Sequence, residues 1–285
     1  MLWSALQIVL LVYLGLAALI YFKQSSLVFL PEMDRGFRAS PTDIGLPFTP
    51  LRLATTDGET LDGWFVPADT KGATGGLVIF FHGNAGNMGR RLDYLRMFHR
   101  LGLATLIIDY RGYGRSSGAP SEEGSYLDAA AAWRHATQAL GFAAGRIALY
   151  GESLGGGVAS QLAVENHPGA LILASTFTSV PDMGAELYPL LPIRLLARIR
   201  YDTLTRLPQI TCPVMVIHSR NDDIIPFAHG QRLFEAARQP KQFLEIAGGH
   251  NEGLVFGEEH WIKQLDGFLR QALPNPDQAP AAVSQ

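Results

Sequence analysis

A serine between two glycines is the first candidate for chemistry in this sequence. Residues 147–159 read IALYGESLGGGVA, which places Ser153 between Gly151 and Gly155. Glycine on both sides lets the backbone turn too sharply for neighbouring side chains, so the hydroxyl stands exposed at the mouth of a sheet, with a helix N-terminus beneath it. The spacing G-x-S-x-G therefore predicts a nucleophilic serine.

The same spacing occurs a second time, in residues 114–118, which read GRSSG. Ser116 lies several residues beyond its predicted strand and leads into Ala119 and Pro120, so no helix begins directly behind it. Ser153 follows an apolar β-prone run and leads directly into small residues that favour a helix. This context selects Ser153 as the nucleophile.

Two later loops supply the partners that a nucleophilic serine needs. A positioned base must remove the serine proton, and an imidazole base needs a carboxylate that fixes its tautomer. Asp222 and Asp223 follow one apolar strand, and His250 follows two glycines after the last predicted strand. Both loops come at the carboxyl ends of strands, where open α/β sheets place their sites. We therefore predict one of these two carboxylates and His250 beside Ser153.

Other histidines receive different predictions. His229 and His260 also follow the serine, but they lie at or within predicted helices, so we expect both on the surface. His82 precedes the serine in an early loop, where we expect a structural hydrogen-bonding role beneath that loop.

The oxyanion that forms when a serine attacks an acyl carbon needs two backbone N–H donors. The Leu154 amide follows Ser153 directly and begins the predicted helix, so we expect it to be one donor. The loop after an early strand contains Gly83 and Gly86, which permit a close backbone approach. We expect the Asn84 amide in this loop to be the second donor.

Alternating strands and helices must position these residues. Continuous apolar runs are typical of parallel strands covered on both faces, and TDGE at 56–59 predicts an antiparallel hairpin before them. The predicted strands are 51–55, 61–66, 77–81, 104–108, the run ending at Gly151, 170–174, 214–217 and 243–246. The predicted helices are 87–101, 125–140, the segment after Ser153, 228–237 and 258–271. The sequence thus predicts one α/β domain, 51–272, with a mostly parallel eight-stranded sheet flanked by helices.

Residues 1–22 contain no ionisable side chain apart from tyrosine. About 20 apolar residues cross a hydrocarbon layer of about 30 Å, so we predict an uncleaved transmembrane anchor, followed by a Pro-punctuated connector at 23–50. A cleaved signal peptide and a buried core helix are the alternatives, but a basic start and a small-x-small site are missing, and a core helix is poorly placed at a terminus. Lys23, Arg35 and Arg38 follow the span and no Lys or Arg precedes it, which favours a cytoplasmic catalytic domain.

Residues 176–207 interrupt the alternation of strands and helices. They contain Pro181, Pro189 and Pro192 and an amphipathic piece at 193–200, which predicts a lid over a site. The alternative is an ordinary surface helix, and its three arginines could face lipid headgroups. The tail at 273–285 is rich in Pro, Ala and Gln and is predicted to be disordered.

The composition excludes some classes of function. The net charge is −3 and no block of Lys or Arg occurs, so nucleic acid is not an expected partner. Cys212 is the only cysteine and precedes Pro213 at the start of a strand, where we expect a buried structural thiol. The sequence has neither a metal-ligand constellation nor a Gly-rich phosphate loop, so we expect no cofactor.

Several motifs together resemble the α/β-hydrolase superfamily, over roughly residues 50–272. HGN at 82–84, DYRGYGRSSG at 109–118, GESLG at 151–155 and GHN at 249–251 are similar to its membrane-anchored branch, which includes acyl hydrolases, thioesterases and serine aminopeptidases. In that family the acid lies in a stretch like His-Gly-x-x-Asp-x-x-Val-Pro. Here HSRNDDIIP at 218–226 matches it with Ser219 for the glycine and Ile225 for the valine. The resemblance implies that Asp222 is the acid, with Asp223 as the alternative, and that 109–118 is a fold signature.

We therefore expect a serine hydrolase that cleaves esters or thioesters of acyl, lipid-like substrates, in which Ser153 attacks, His250 shuttles the proton and Asp222 orients His250. A serine peptidase of the aminopeptidase type is the alternative, and an acidic residue near the site that binds a free amine would support it. A silent binding module is a third hypothesis, against which the complete order of Ser, Asp and His argues.

Overall fold

The structure is a computed structural model that describes residues 2–31, 33, 36, 38–69, 75–251 and 259–273 of the 285-residue chain. The strands of this described part form one sheet. They are β1 (Thr49–Ala54), β2 (Thr60–Val66), β3 (Leu77–Phe81), β4 (Ala104–Ile108), β5 (Ile147–Glu152), β6 (Ala170–Ala174), β7 (Val214–Ser219) and β8 (Lys241–Ile246). Their order across the sheet is β1-β2-β4-β3-β5-β6-β7-β8.

Strands β3 to β8 run parallel to one another, whereas β1 pairs antiparallel with β2 and β2 pairs antiparallel with β4. The short strands β3, β4 and β6 are buried at every position, as strands covered on both faces must be. Successive side chains point to opposite faces, so Phe81 lies in one apolar cluster and Phe80 in the other. The predicted mostly parallel eight-stranded sheet is confirmed.

Helices cover both faces of the sheet. In the described part of the chain the α-helices are α1 (Leu2–Val28), α2 (Leu92–Arg100), α3 (Glu122–Arg134), α4 (Leu154–Asn166), α5 (Val180–Leu187), α6 (Ile193–Leu196), α7 (Thr203–Arg206), α8 (Phe227–Ala236) and α9 (Glu259–Ala272). Helices α3, α4 and α8 add buried side chains to the cluster of Phe81, and α2 and α9 add theirs to the cluster of Phe80. The carboxyl ends of the parallel strands remain at one open edge, where a site can form.

The N-terminal helix is longer than the predicted anchor. Helix α1 continues past residue 22 to Val28 and is long and apolar enough to cross a membrane. None of its apolar stretch is buried against the rest of the protein, so the alternative of a core helix is wrong. The helix is therefore a candidate anchor or signal segment.

The insertion at 176–207 contains α5, α6 and α7 rather than one amphipathic helix. The surface helix that was the alternative for 193–200 ends at Leu196, because Ala197 has an extended backbone. The side chain of Gln24 in α1 accepts hydrogen bonds from the amides of Arg198 and Ile199, which holds this stretch outside a helix. The predicted disordered tail lies outside the described residues from 274 onward.

Candidate active site

Ser153 occupies a strained turn between β5 and α4. Its backbone has φ 52° and ψ −117°, a left-handed conformation that a residue other than glycine adopts only when its surroundings enforce it. A side chain at Gly151 would overlap the backbone of Gly155, and one at Gly155 would overlap the carbonyl oxygen of Phe81. The two flanking glycines are therefore required by close backbone packing, as the G-x-S-x-G spacing predicts.

Neighbouring strands fix this turn from below. The Ser153 amide donates to the carbonyl of Ala174 at 2.9 Å, and the Thr176 hydroxyl donates to the carbonyl of Ser153 at 2.6 Å. Both partners lie at the carboxyl end of β6, next to β5 in the sheet. Sequence reasoning missed Thr176, and its position just after a buried strand was the signal that could have identified it.

The structure brings Ser153, His250 and Asp222 together, although 97 and 28 positions separate these neighbours along the chain. His250 Nε2 lies 3.2 Å from Ser153 Oγ, and His250 Nδ1 lies 2.8 Å from Asp222 Oδ2. In this arrangement Nδ1–H donates to the carboxylate and the Nε2 lone pair faces the serine hydroxyl. The carboxylate is shielded from solvent, and the His250 side chain is 10% exposed.

Backbone amides hold the Asp222 carboxylate in its ionised form. Burial raises the pKa of Asp222, but the hydrogen bonds from His250 and from the amides of Ile225 and Ile224 outweigh it, so the pKa lies below its ordinary value. His218 Nε2 donates to the Ile225 carbonyl at 2.9 Å and lies 3.5 Å from Asp222 Oδ2. Burial lowers the pKa of His218, which favours its neutral ring beneath this loop.

Asp223 serves the backbone of the histidine loop rather than the histidine ring. Its Oδ1 accepts a hydrogen bond from the His250 amide at 2.7 Å. Ser219 donates its hydroxyl to the Gly248 carbonyl in the same loop. The two adjacent carboxylates therefore divide the work: Asp222 contacts the ring, and Asp223 positions the loop that carries it.

The two expected oxyanion donors flank the serine turn. Leu154 begins α4, and the first amides of a helix have no acceptor within that helix. A Cβ at Gly83 would lie 3.4 Å from the Ser153 Cβ, so the loop that contains Asn84 runs against the nucleophile. Tyr113 Oη and the Leu30 amide donate to the Asn84 carbonyl at 2.9 and 3.1 Å, which fixes the peptide group between Asn84 and Ala85 and holds this loop in place.

The other histidines considered in the sequence lie outside this arrangement. His82 is fully buried beneath the loop, with its Nδ1 2.7 Å from the Gly83 carbonyl, as expected. The surface position expected for His260 is confirmed, but the one expected for His229 is wrong. His229 is buried because the insertion covers it, and its Nδ1 accepts from the Thr178 amide.

The arrangement brings together a serine hydroxyl, an imidazole and a carboxylate, a combination suited to acyl transfer, with the Leu154 and Asn84 amides as the expected oxyanion donors. Within the described residues no group of three His, Cys, Asp or Glu side chains is arranged to hold a metal ion. Cys212 is buried just before β7, and burial raises the pKa of its thiol to about 12. It is therefore an unreactive structural residue, as expected.

Comparison with known proteins finds a hydrolase family model and relatives that match most of the chain. A family model described as serine aminopeptidase, S33, matches residues 72–202. An uncharacterized protein of Mycobacterium tuberculosis is 39% identical over 269 residues, which cover 93% of both chains. The α/β-hydrolase domain-containing protein WAV2 of Arabidopsis thaliana is 32% identical over 289 residues, 93% of this chain and 92% of its own.

Solved structures share the fold. An esterase of Pyrococcus furiosus superposes with a TM-score of 0.67 at 20% identity and covers 83% of this chain and 94% of the esterase. An acetyl xylan esterase from Paenibacillus superposes with a TM-score of 0.61 at 21% identity and covers 80% of this chain and 90% of that enzyme. At these identities the likeness is one of fold alone.

Proposed function

Because this chain belongs to the α/β-hydrolase superfamily, we propose that it is a membrane-anchored serine hydrolase that cleaves ester or thioester bonds of acyl, lipid-like substrates. The continuous contact from Asp222 through His250 to Ser153 is the observation that carries the proposal. The left-handed backbone of Ser153 adds support, because such strain is typical of functional positions.

The reaction follows from the positions of these groups. Ser153 Oγ attacks the acyl carbon while His250 Nε2 takes its proton, and Asp222 stabilises the imidazolium that forms. The amides of Leu154 and Asn84 donate to the oxyanion of the tetrahedral intermediate. The intermediate collapses when His250 returns the proton to the leaving alcohol or thiol. A water molecule, activated by the same imidazole, then releases the carboxylic acid from the acyl-serine.

The N-terminal helix supports a lipid-like substrate and an uncleaved anchor. After its apolar part, the helix ends in a polar turn whose Gln24 is buried against the insertion. Phe29, which follows the helix, is buried in the domain core against Tyr201. These contacts join the C-terminal end of the helix to the domain, which suits an anchor that holds the domain at the membrane surface. Such an enzyme would meet its substrate at the membrane surface.

The aminopeptidase alternative needs a carboxylate that is free to bind the substrate amine. Glu152 is adjacent to Ser153, but its Oε2 lies 2.8 Å from the Arg91 guanidinium, which neutralises it. Asp223 already accepts the His250 amide. In the described part of the site these nearby carboxylates are therefore occupied, which favours an acyl ester or thioester over a peptide with a free amino terminus.

The proposal is tested by labelling the purified full-length protein with a fluorophosphonate probe. Wild type is expected to be labelled, Ser153→Ala to lose labelling, and Ser116→Ala to be labelled like wild type. Absence of labelling in a folded wild-type protein would overturn the serine-hydrolase assignment. Labelling that persists in Ser153→Ala but disappears in Ser116→Ala would move the nucleophile to the other loop.

A substrate comparison tests the proposed class. Acyl esters, acyl thioesters and aminoacyl amides with the same chromophore are offered to wild type and to Ser153→Ala. We expect the esters or thioesters to react faster than the amides, and the preference to increase with acyl chain length. Faster turnover of the amides with a free amino group would favour the peptidase instead.

A further inference from the structure

The insertion between β6 and β7 presents apolar side chains to solvent beside the N-terminal helix. We name residues 187–195 the cap tip; they connect α5 with α6 and read LYPLLPIRL. Leu190 is 87% exposed and Leu195 is 86% exposed, and Leu187 and Tyr188 are exposed as well. Single exposed leucines are common on protein surfaces, but several within nine residues form a patch that needs an apolar partner.

Two contacts with α1 set the level of the cap tip along that helix. Gln24 Nε2 donates to the Leu196 carbonyl at 2.7 Å, just after the cap tip. Tyr13 Oη donates to the Leu190 carbonyl at 3.1 Å, in the middle of the cap tip. Residues 13 and 24 are separated by about 16 Å along a helix with a rise of about 1.5 Å per residue. The segment from Leu196 back to Leu190 therefore lies along α1, from the polar end of the helix to its apolar middle.

The composition of α1 shows where the water boundary would lie. Lys23 is the first basic residue of the chain, and it follows 22 residues without Asp, Glu, Lys or Arg. With Lys23 at the surface of a hydrocarbon layer about 30 Å thick, Tyr13 lies about 15 Å below that surface. Leu190, whose carbonyl accepts the hydrogen bond from Tyr13, lies at about the same depth. A membrane that accommodates α1 must therefore accommodate the cap tip as well.

The backbone of the cap tip is suited to a medium without water. Pro189 and Pro192 have no N–H group to satisfy. Backbone in hydrocarbon must satisfy its N–H groups within the protein. At the cap tip and just beyond it, backbone carbonyls accept from the amides of Tyr188, Leu191, Ile193, Leu195, Leu196 and Ala197. The single charged residue of the cap tip, Arg194, is paired with Asp182 at 3.0 Å, and its long side chain can extend toward the interface.

We propose that the cap tip inserts into the hydrocarbon layer next to α1, so that lipid acyl chains are the partner of this surface. This inference rests on the membrane anchoring in the proposed function, but it adds a second, non-helical membrane contact to the anchor. It also implies that the insertion, whose Thr176 hydroxyl donates to the Ser153 carbonyl, is in direct contact with the phase that holds lipid substrates.

The test measures the depth of single labelled positions in the full-length protein. Cys212→Ala provides a cysteine-free background, and Leu190→Cys and Leu195→Cys each receive an environment-sensitive fluorophore. Leu14→Cys in α1 is the matched control for the anchor, and Gln231→Cys, an exposed position on α8, is the control for water. The labelled proteins are reconstituted into phosphatidylcholine vesicles that carry nitroxides either near the headgroup or in the middle of the acyl chain.

We expect the label at Leu190 to be quenched by the mid-chain nitroxide about as strongly as the label at Leu14. Leu195 should respond more to the shallow nitroxide, and Gln231 only to aqueous iodide. Quenching of Leu14 together with iodide access at Leu190 would overturn the inference and leave the anchor intact. Protection of Leu190 from both nitroxides and iodide would instead indicate burial against a second protein chain and would also overturn it.

A different result at Leu14 separates this inference from the proposed function. If iodide quenches the label at Leu14, α1 is not in the bilayer, and the cap-tip inference fails with the anchor. Fluorophosphonate labelling of the same samples then reports independently whether the serine-hydrolase part of the proposed function still holds. Because Leu190 and Leu195 are exposed, neither substitution removes a packed core side chain.

Discussion

The two loops with G-x-S-x-G spacing place the left-handed backbone on different residues. In the loop after β5 the positive φ falls on Ser153 itself, at 52°. In the loop after β4 it falls on the glycines Gly114 and Gly118, at 52° and 79°, and Ser116 is unstrained. The same five-residue pattern therefore strains the serine in one loop and relieves the serine in the other.

The hydroxyl groups of the two loops also differ in their partners. Ser116 Oγ donates to the Asp109 carbonyl at 2.7 Å and accepts from the Asp62 amide at 2.9 Å, so it ties the loop to β2 and to the end of β4. Ser153 Oγ faces the Nε2 atom of His250. A hydroxyl with its donor and acceptor roles both occupied by backbone holds structure, whereas one that faces an imidazole is available for proton transfer.

Hydrolysis rate should separate the two serines by the largest factor. Ser153→Ala is expected to lower kcat for an acyl ester by at least about 10⁴-fold, because removal of a nucleophile disables the whole triad. Ser116→Ala should leave kcat within about threefold of wild type, since its hydroxyl does not face the site. Steady-state kinetics on both purified variants measures this. Equal losses in the two variants would mean that the loops are not functionally distinct.

The adjacent carboxylates offer a second large contrast. Asp222→Asn should lower kcat by about 10⁴-fold, since an amide no longer selects the tautomer in which His250 Nδ1 is protonated. Asp223→Asn keeps an oxygen that can accept the His250 amide, so we expect a loss of about tenfold or less. Kinetics of the two variants on one ester, with circular dichroism as a control for folding, checks this. A larger loss in Asp223→Asn would assign the acid role to Asp223.

Much of this site follows from sequence order alone. Apolar runs predict the strands, strand ends predict one edge of the sheet, and that edge collects Ser153 and His250. The sequence does not show whether Asp222 or Asp223 contacts the histidine, because the directions of two adjacent side chains on a loop are not fixed by local pattern. Family resemblance favours Asp222, and in the structure it is Asp222 that contacts the ring.

Contacts between distant segments could not be predicted from local patterns. The amphipathic piece at 193–200 is helical only to Leu196, because the Arg198 amide donates to the side chain of Gln24, 174 positions away. His229 has the pattern of a surface residue on a helix, but the insertion that precedes it in the chain folds back over it. Such burial depends on tertiary packing, which a short periodic pattern does not contain.

Glycine substitutions should affect the stability of the two loops unequally. Gly155→Ala forces a Cβ into the Phe81 carbonyl, which is backbone and cannot move aside, so we expect a loss of about 4 kcal/mol. Gly118→Ala meets only the end of the flexible Glu59 side chain, so its cost is the positive φ, about 1–2 kcal/mol. Chemical denaturation of the two variants compares these losses. A smaller loss for Gly155→Ala would contradict the tight packing beneath Ser153.

Removal of the Ser116 hydroxyl should reduce stability more than removal of the Ser153 hydroxyl, which is the reverse of their expected effects on rate. Ser116→Ala leaves the Asp62 amide without its acceptor, which should lower the free energy of unfolding by about 1–3 kcal/mol. Ser153→Ala removes a hydroxyl whose side-chain partner is a partly exposed ring, so we expect a change within about 0.5 kcal/mol. Thermal unfolding of both variants at one pH measures the difference. A larger loss in Ser153→Ala would indicate that its hydroxyl also stabilises the turn.

The smallest expected effect is on the pH dependence of stability, and it separates the loops because Asp222 serves only the Ser153 loop. The pKa of Asp222 is lower in the folded protein than its ordinary value, so between these two values the unfolded chain binds more protons. The stabilisation from ionised Asp222 is therefore complete above about pH 4 and is lost as the pH falls through the folded pKa. Ser116→Ala should lose stability with falling pH in parallel with wild type, whereas Asp222→Asn should show a shallower decline. Denaturant titrations of the three proteins from pH 6 downward measure how the free energy of unfolding changes with pH. A decline in Asp222→Asn as steep as in wild type would show that His250 and the amides of Ile224 and Ile225 do not favour the ionised carboxylate.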